Sequence, residues 1–159
     1  MKMTNQFKKG ELLNKMLVFA TNKHAGQFDK GGSPYILHPI AVMNILGNVD
    51  EELRCIAIGH DVVEDCGVSY AELREMGFTE RIINGIACLT KVPGETYEEY
   101  KAKVKSNADS VKVKIADLTH NTRIDRLKGV SEKDVTRMEK YFKFYVELVS
   151  LDTVKHGLS

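Results

Sequence analysis

The sequence is short of several things, and each shortage narrows what the chain can be. Its three cysteines, Cys55, Cys66 and Cys88, are odd in number and form no CxxC pair. They suit reduced thiols in a cytoplasmic protein better than a disulfide framework. Excess charge is also missing: 23 Lys+Arg against 22 Asp+Glu leave a net charge of +1. A nucleic-acid binder is expected to carry a clustered basic excess, so no nucleic-acid partner is expected. The longest uninterrupted apolar run, Met16 to Ala20, is far short of the ~20 residues of a membrane span. Lys2, Lys8 and Lys9 are followed by no apolar stretch of the kind a signal peptide needs. A soluble cytoplasmic location is therefore expected. The three prolines all lie outside apolar periodic stretches, and there is no internal repeat, low-complexity tract or Pro/Ser-rich linker. Residues 1–159 read as a single domain. What is present is ordinary globular material, 43% hydrophobic and 28% charged, which excludes a disordered chain. At this length a chain buries ~70% of its unfolded surface and needs no disulfide or metal merely to fold.

The periodicity is helical throughout, and no strand alternation stands out. Leu12, Leu13, Met16, Leu17, Ala20 and His24 recur at helical spacing and predict a first helix from Glu11 to Phe28. Gly31-Gly32-Ser33-Pro34 breaks it. Pro39 suits the start of a second helix, to about Leu46. A third runs from Glu51 to about Asp65, with Gly67 as its cap. Ser69 with Glu72, and Thr96 with Glu99, have the capping-box spacing. Thr79 opens a helix bearing Ile82, Ile83, Ile86 and Leu89. Two longer helices are expected over Asp109–Leu127 and Ser131–Val149, with a frayed tail from Asp152. The fold class is all-α, a helical bundle of about eight helices. Gly59 is expected to let helices pack closely.

Three places break the packing pattern. Ile58-Gly59-His60-Asp61-Val62-Val63-Glu64-Asp65 ends an apolar helix with one imidazole and three carboxylates. Carboxylates in a last turn oppose the helix dipole, by ~0.3–1 kcal/mol each, so a cation from elsewhere should offset them. A solvated acidic helix end is the plain alternative. His38, between Tyr35-Ile36-Leu37 and Pro39, sits at the mouth of a helix and is either structural or a ligand. Asp117 lies mid-helix in Val113-Lys114-Ile115-Ala116-Asp117-Leu118, where an unpartnered carboxylate would be costly. A salt bridge to Lys114 or Arg123 would also satisfy it, and Asn121 shares its face one turn on. Taken together, His38, His60, Asp61 and Asp117 form a mixed N/O set suited to Mn²⁺, Fe²⁺ or Zn²⁺. They come from three separate helices, as core metal sites of bundles do.

These residues resemble a known family. The order His24-Ala25-Gly26-Gln27, Pro34-Tyr35-Ile36-Leu37-His38-Pro39, His60-Asp61-Val62-Val63-Glu64-Asp65, Leu89-Thr90-Lys91 and Val113 to Asn121 is similar to HD-domain phosphohydrolases. Within them it resembles the hydrolase domain of the RelA/SpoT group and the small alarmone hydrolases, from about His24 to Leu127. With the chain ending at Ser159, no synthetase-like region is expected after it. The resemblance implies an HD-domain helical bundle that removes the 3′-pyrophosphate of guanosine tetra- and pentaphosphate with Mn²⁺. It places His38, His60, Asp61 and Asp117 at metal-ligand positions and Glu64 and Asp65 at the catalytic acidic pair. Asn121 falls on a nucleotide-contacting position and Lys30 on a basic position of the phosphate pocket. Arg123 joins Lys30 as a candidate for neutralising phosphate charge. His24 and His120 stand outside the ligand set, in structural or supporting roles, and His156 is given none.

One residue departs from the family. The position before Lys30 is usually Arg, packed on the guanine; here it is Asp29. A carboxylate offers no cation–π contact and repels polyphosphate, so Asp29→Arg is expected to tighten alarmone binding. Two other functions stay open: an HD phosphohydrolase for another nucleotide or phosphomonoester, and a silent module that binds a nucleotide or docks on a partner. The Glu64-Asp65 pair argues against silence, since binding alone does not need it. No feature of the sequence sets an oligomeric state.

Overall fold

The computed structural model describes residues 8–126 and 130–155. Among them lie nine α-helices and one 3-10 turn. They are α1 (Glu11–Lys23), α2 (Leu37–Leu46), α3 (Glu51–Gly59), α4 (Val62–Cys66), α5 (Tyr70–Glu75), α6 (Glu80–Leu89), α7 (Tyr97–Lys105), α8 (Ala108–Asn121), the 3-10 turn Ile124–Arg126, and α9 (Glu132–Lys155). The described residues hold no strand, only an isolated antiparallel bridge between Phe28 and Pro34. None of the described helices is long and apolar enough to cross a membrane.

Caps set many of the helix starts. Asp50, Ser69, Thr79, Thr96 and Asn107 each accept a hydrogen bond from a backbone N–H of the following turn. Thr96 and Glu99 complete a reciprocal capping box. Ser69 and Glu72 make only half of one, because the Glu72 carboxylate is drawn to Lys23 at 2.8 Å. α3 is the centre of the bundle. It packs on α1, α2, α6 and α8, and Leu53, Cys55, Ile56, Ala57, Ile58 and Gly59 are all buried. Its polar residues Glu51, Glu52 and Arg54 stay partly exposed near its start, and from Cys55 on the segment is buried and apolar.

Two glycines let α3 sit this deep. A Cβ on Gly59 would lie 2.9 Å from Ile86 Cδ1 and 3.0 Å from Met16 Cε. A Cβ on Gly85 would lie 2.5 Å from Ile56 Cδ1 and 2.9 Å from its Cγ1. Ile56 is β-branched and fully buried, so it cannot turn away cheaply. Gly85→Ala should therefore cost ~1–3 kcal/mol by overpacking. Thermal unfolding checks this, since each kcal/mol moves Tm by ~2–4 °C at this size. An unchanged Tm would refute the close α3–α6 contact.

Several expected boundaries move. α1 stops at Lys23 rather than Phe28, because His24 caps it and Gly26 turns the chain with φ +79°. Phe28 instead flanks a tight turn closed by Asp29 N–H to the Ser33 carbonyl (2.9 Å). α2 starts two residues before Pro39, whose missing N–H costs nothing in a first turn. The helix expected over Glu51–Asp65 is broken at His60 and Asp61 into α3 and α4, which supplies the extra helix. Glu64 and Asp65 thus lie in the short helix α4 rather than in the last turn of α3, where they were expected. α8 ends at Asn121 as Thr122 Oγ1 bonds back to the Leu118 carbonyl, and a 3-10 turn follows. Leu127 lies outside the described residues. α9 extends to Lys155, past Val149 and past Asp152, where fraying is expected. His156 lies outside the described residues.

Candidate metal centre and active site

The break between α3 and α4 aims two ligands at one point. His60 Nδ1 donates to the Ala57 carbonyl at 2.6 Å, which turns Nε2 inward. Asp61, next in the chain, brings Oδ2 to 3.0 Å from that Nε2. α2 contributes His38, whose Nε2 lies 3.8 Å from Asp61 Oδ2. The donor atoms of His38, His60 and Asp61 lie within 4.8 Å of one another. α8 adds Asp117, with Oδ1 3.0 Å from His38 Nε2 and 3.6 Å from His60 Nε2. His38, His60 and Asp117 are buried.

Neighbours fix each of these groups. Tyr35 Oη donates to Asp61 Oδ2 at 2.6 Å. Lys114 Nζ donates to Asp117 Oδ2 at 2.7 Å, and Asn121 Nδ2 to Asp117 Oδ1 at 2.8 Å. His38 Nδ1 lies 2.7 Å from His120 Nδ1, with the rings stacked at 5.0 Å. The tautomer that leaves His38 Nε2 bare for a cation puts its proton on Nδ1, with His120 Nδ1 as the acceptor. His120 is suited to that, because burial and then Arg126 lower its pKa to about 4. Such outer hydrogen bonds orient histidine ligands in metal sites.

The electrostatics are those of a set short of positive charge. Burial opposes a charged His60, yet Asp61 and Asp117 overcome it and hold the imidazole well above its ordinary value. Burial likewise opposes ionisation of Asp61, but the two imidazoles bring it down to about 2. Asp117 is held well below the usual carboxylate range by Lys114 and the same imidazoles, against its burial. His60 Nε2 is buried and has no aligned hydrogen-bond partner among the described residues, despite the carboxylate 3.0 Å away. A buried imidazole nitrogen facing carboxylate oxygens without an N–H bond to them is what a divalent cation would complete. Two imidazoles and two carboxylates fit such an ion.

The acidic pair stands at the rim. Glu64 Oε1 accepts from the Lys91 N–H at 2.8 Å, which ties α4 to the end of α6. Asp65 is exposed at its edge, yet its carboxyl is held above the ordinary range by burial and by the Asp61 and Glu64 charges. His24 stands behind the pair, bonded to Gln27 (2.8 Å) and facing Cys66 Sγ (3.3 Å). It is not among the ligand atoms.

Three adjoining hollows open beside the cluster. One of about 580 Å³ is lined by Lys91, Lys114, Arg137, Lys140, Tyr97 and Tyr141, among others. A second, of about 300 Å³, shares Arg137 and Tyr141 with it and adds Lys30, Asp29, Asn121 and Arg126. A third, of about 330 Å³, reaches His38 and His120 and includes Arg123. Together they form a cleft rich in cations and phenol rings.

No protein-family profile matches the chain. A guanosine-3′,5′-bis(diphosphate) 3′-pyrophosphohydrolase of Haemophilus influenzae is 32% identical over 118 residues, 67% of this chain and 17% of that protein. The protein of the same name from Aquifex aeolicus is 31% identical over 148 residues, 89% of this chain and 20% of that protein. A GTP pyrophosphokinase of Myxococcus xanthus is 29% identical over 143 residues, 80% of this chain and 19% of that protein. The chain thus spans about a fifth of the length of these curated relatives. A solved structure of a metazoan ortholog of SpoT, described as hydrolysing ppGpp, superposes with a TM-score of 0.72 at 22% identity. That match covers 97% of this chain and 99% of the other. The chain is similar in sequence to the HD hydrolase region of RelA/SpoT-type proteins and shares the fold of the SpoT ortholog.

The structure brings His38, His60, Asp61 and Asp117 together, with Glu64 and Asp65 beside them. Lys30 and Asn121 line one hollow. Arg123 lines another, but its guanidinium is paired with Asp125 at 2.7 Å and is largely exposed. Lys114, not Arg123, is the salt-bridge partner of Asp117. Sequence reasoning missed Tyr35, Arg126, Arg137 and Tyr141. Tyr35 carried a signal, lying three residues before His38 where the chain enters α2. The other three carried none, since only the fold turns them to the cleft.

Proposed function

We propose that this domain hydrolyses the 3′-pyrophosphate of guanosine tetra- and pentaphosphate, with Mn²⁺ held by His38, His60, Asp61 and Asp117. The observation that carries the reading is the buried His60 Nε2, without a hydrogen-bond partner among the described residues and facing two carboxylates beside a cationic cleft. When bound, the ion supplies Lewis acidity at a phosphoryl oxygen and makes a bound water more acidic. The chain's own residues do the rest. Glu64, oriented by the Lys91 N–H, takes the proton of the attacking water. Asp65, with its raised pKa, returns a proton to the departing 3′-oxygen. The water oxygen joins phosphorus as the bond to the 3′-oxygen breaks, releasing pyrophosphate and a 3′-hydroxyl. Lys30, Lys91 and Arg137 neutralise phosphate charge along the cleft. The names of the relatives from Haemophilus influenzae and Aquifex aeolicus support the substrate. A free nucleotide substrate and the free thiols Cys55, Cys66 and Cys88 favour a cytoplasmic enzyme.

The test is product identity. Mn²⁺-loaded protein incubated with guanosine tetraphosphate and a panel of other nucleotides and phosphomonoesters should release pyrophosphate from the tetraphosphate. Faster release of orthophosphate from another member would reassign the substrate. Binding without turnover of any member would make the domain a binding module.

A further inference from the structure

The residue that departs from the family is not an isolated charge. Asp29 Oδ1 accepts from its own turn, at Ser33 N–H (2.9 Å), and Oδ2 faces Arg126 at 3.4 Å across the cleft. Arg126 is fixed by two further acceptors, Asn121 Oδ1 at 3.1 Å and the His120 carbonyl at 3.3 Å. Both members of the pair are mostly buried, 20% and 23% exposed. Asp29, Gly31 and Arg126 line both smaller hollows, so the pair is the partition between them. On one side lie Lys30, Arg137 and Tyr141; on the other, His38 and His120. The guanidinium is also one hydrogen bond from Asn121, which itself bonds the candidate ligand Asp117.

We propose that Arg126 is a substrate phosphate-binding residue of this domain, and that Asp29 is the resident anion that the phosphate displaces from it. A guanidinium held on one edge by neutral oxygens keeps donors for an incoming phosphate, and its weakest tie is the long one to Asp29. The carboxylate thus acts as a competitor within the site rather than as a bare repulsive charge. It also selects: only a group more anionic than a carboxylate displaces it readily, which favours pyrophosphate and phosphate esters over neutral ligands. A lone Asp29→Arg would set two guanidiniums against each other, so the tightening expected of it from sequence is not expected here.

This inference rests on the phosphohydrolase reading, and the test separates the two. Equilibrium binding of guanosine tetraphosphate is measured by calorimetry on metal-loaded protein carrying Glu64→Gln, so that turnover does not intervene. Arg126→Gln should weaken binding ~10-fold and flatten its salt dependence. Asp29→Asn keeps the bond to Ser33 but removes the charge, and should tighten binding ~3-fold or more. That gain should vanish in the double variant Asp29→Asn/Arg126→Gln, and the swap Asp29→Arg/Arg126→Asp should recover most of the lost affinity. Weaker binding in Asp29→Asn, or a gain that persists without Arg126, would overturn the inference. So would a parent that binds neither guanosine tetraphosphate nor inorganic pyrophosphate. Binding that follows this pattern in a domain whose Glu64-intact form cleaves nothing would instead overturn only the hydrolase reading.

Discussion

Asp61→Ala protein is expected to bind no Mn²⁺ and to release no pyrophosphate from guanosine tetraphosphate. Asp61 Oδ2 is the anionic donor nearest to His60 Nε2, at 3.0 Å, and it also reaches towards His38. Its removal takes one of two carboxylates from the proposed ligand set, and metal sites depend steeply on such ligands. The Tyr35 hydroxyl would lose its acceptor as well. Asp61→Asn keeps the volume and the acceptor oxygen but not the charge, so it guards against a folding defect. Both variants should keep helical circular dichroism and fail in metal titration. Full metal occupancy in either would remove Asp61 from the ligand set.

The second large effect divides chemistry from binding. Glu64→Gln should lose ~10²-fold or more in turnover while its metal affinity stays near that of the parent. Gln keeps an acceptor for the Lys91 N–H, so the tie between α4 and the end of α6 survives. Glu64 is also outside the group of donors that converge on His60. A turnover number unchanged by the substitution would move the base elsewhere, with Asp65 the next group to test. Loss of metal together with turnover would make Glu64 a ligand instead.

The candidate ligand set was legible because each member was wrong for its surroundings. His38 follows an apolar stretch, Asp117 interrupts the buried face of α8, and His60-Asp61 follows the buried apolar run Cys55 to Ile58 at the end of α3. Polar residues in such places need partners, and the residue types named the partner's chemistry. Helix starts were legible for a local reason: caps at Ser69, Thr79 and Thr96 act over three residues. The break at His60 was not, since apolar spacing continues through Val62 and Val63 into α4. At the break His60 and Asp61 face His38 and Asp117, which lie far away in sequence. The cleft was the least legible part. Arg137 and Tyr141 sit on a long helix whose polar residues look alike in sequence, and only docking on α8 turns them to the site. Asp29 read as a charge without a partner because its partner is 97 residues away.

In the proposed reaction one divalent ion, held by two histidines and two aspartates, works with Glu64 to cleave a 3′-pyrophosphate. Its most direct test is a titration of metal-stripped protein with Mn²⁺, reading bound ion and pyrophosphate release from guanosine tetraphosphate in the same samples. Release should rise in proportion to occupancy and saturate at one ion per chain. Pyrophosphate release by metal-stripped protein, or saturation of the site with no release, would contradict it.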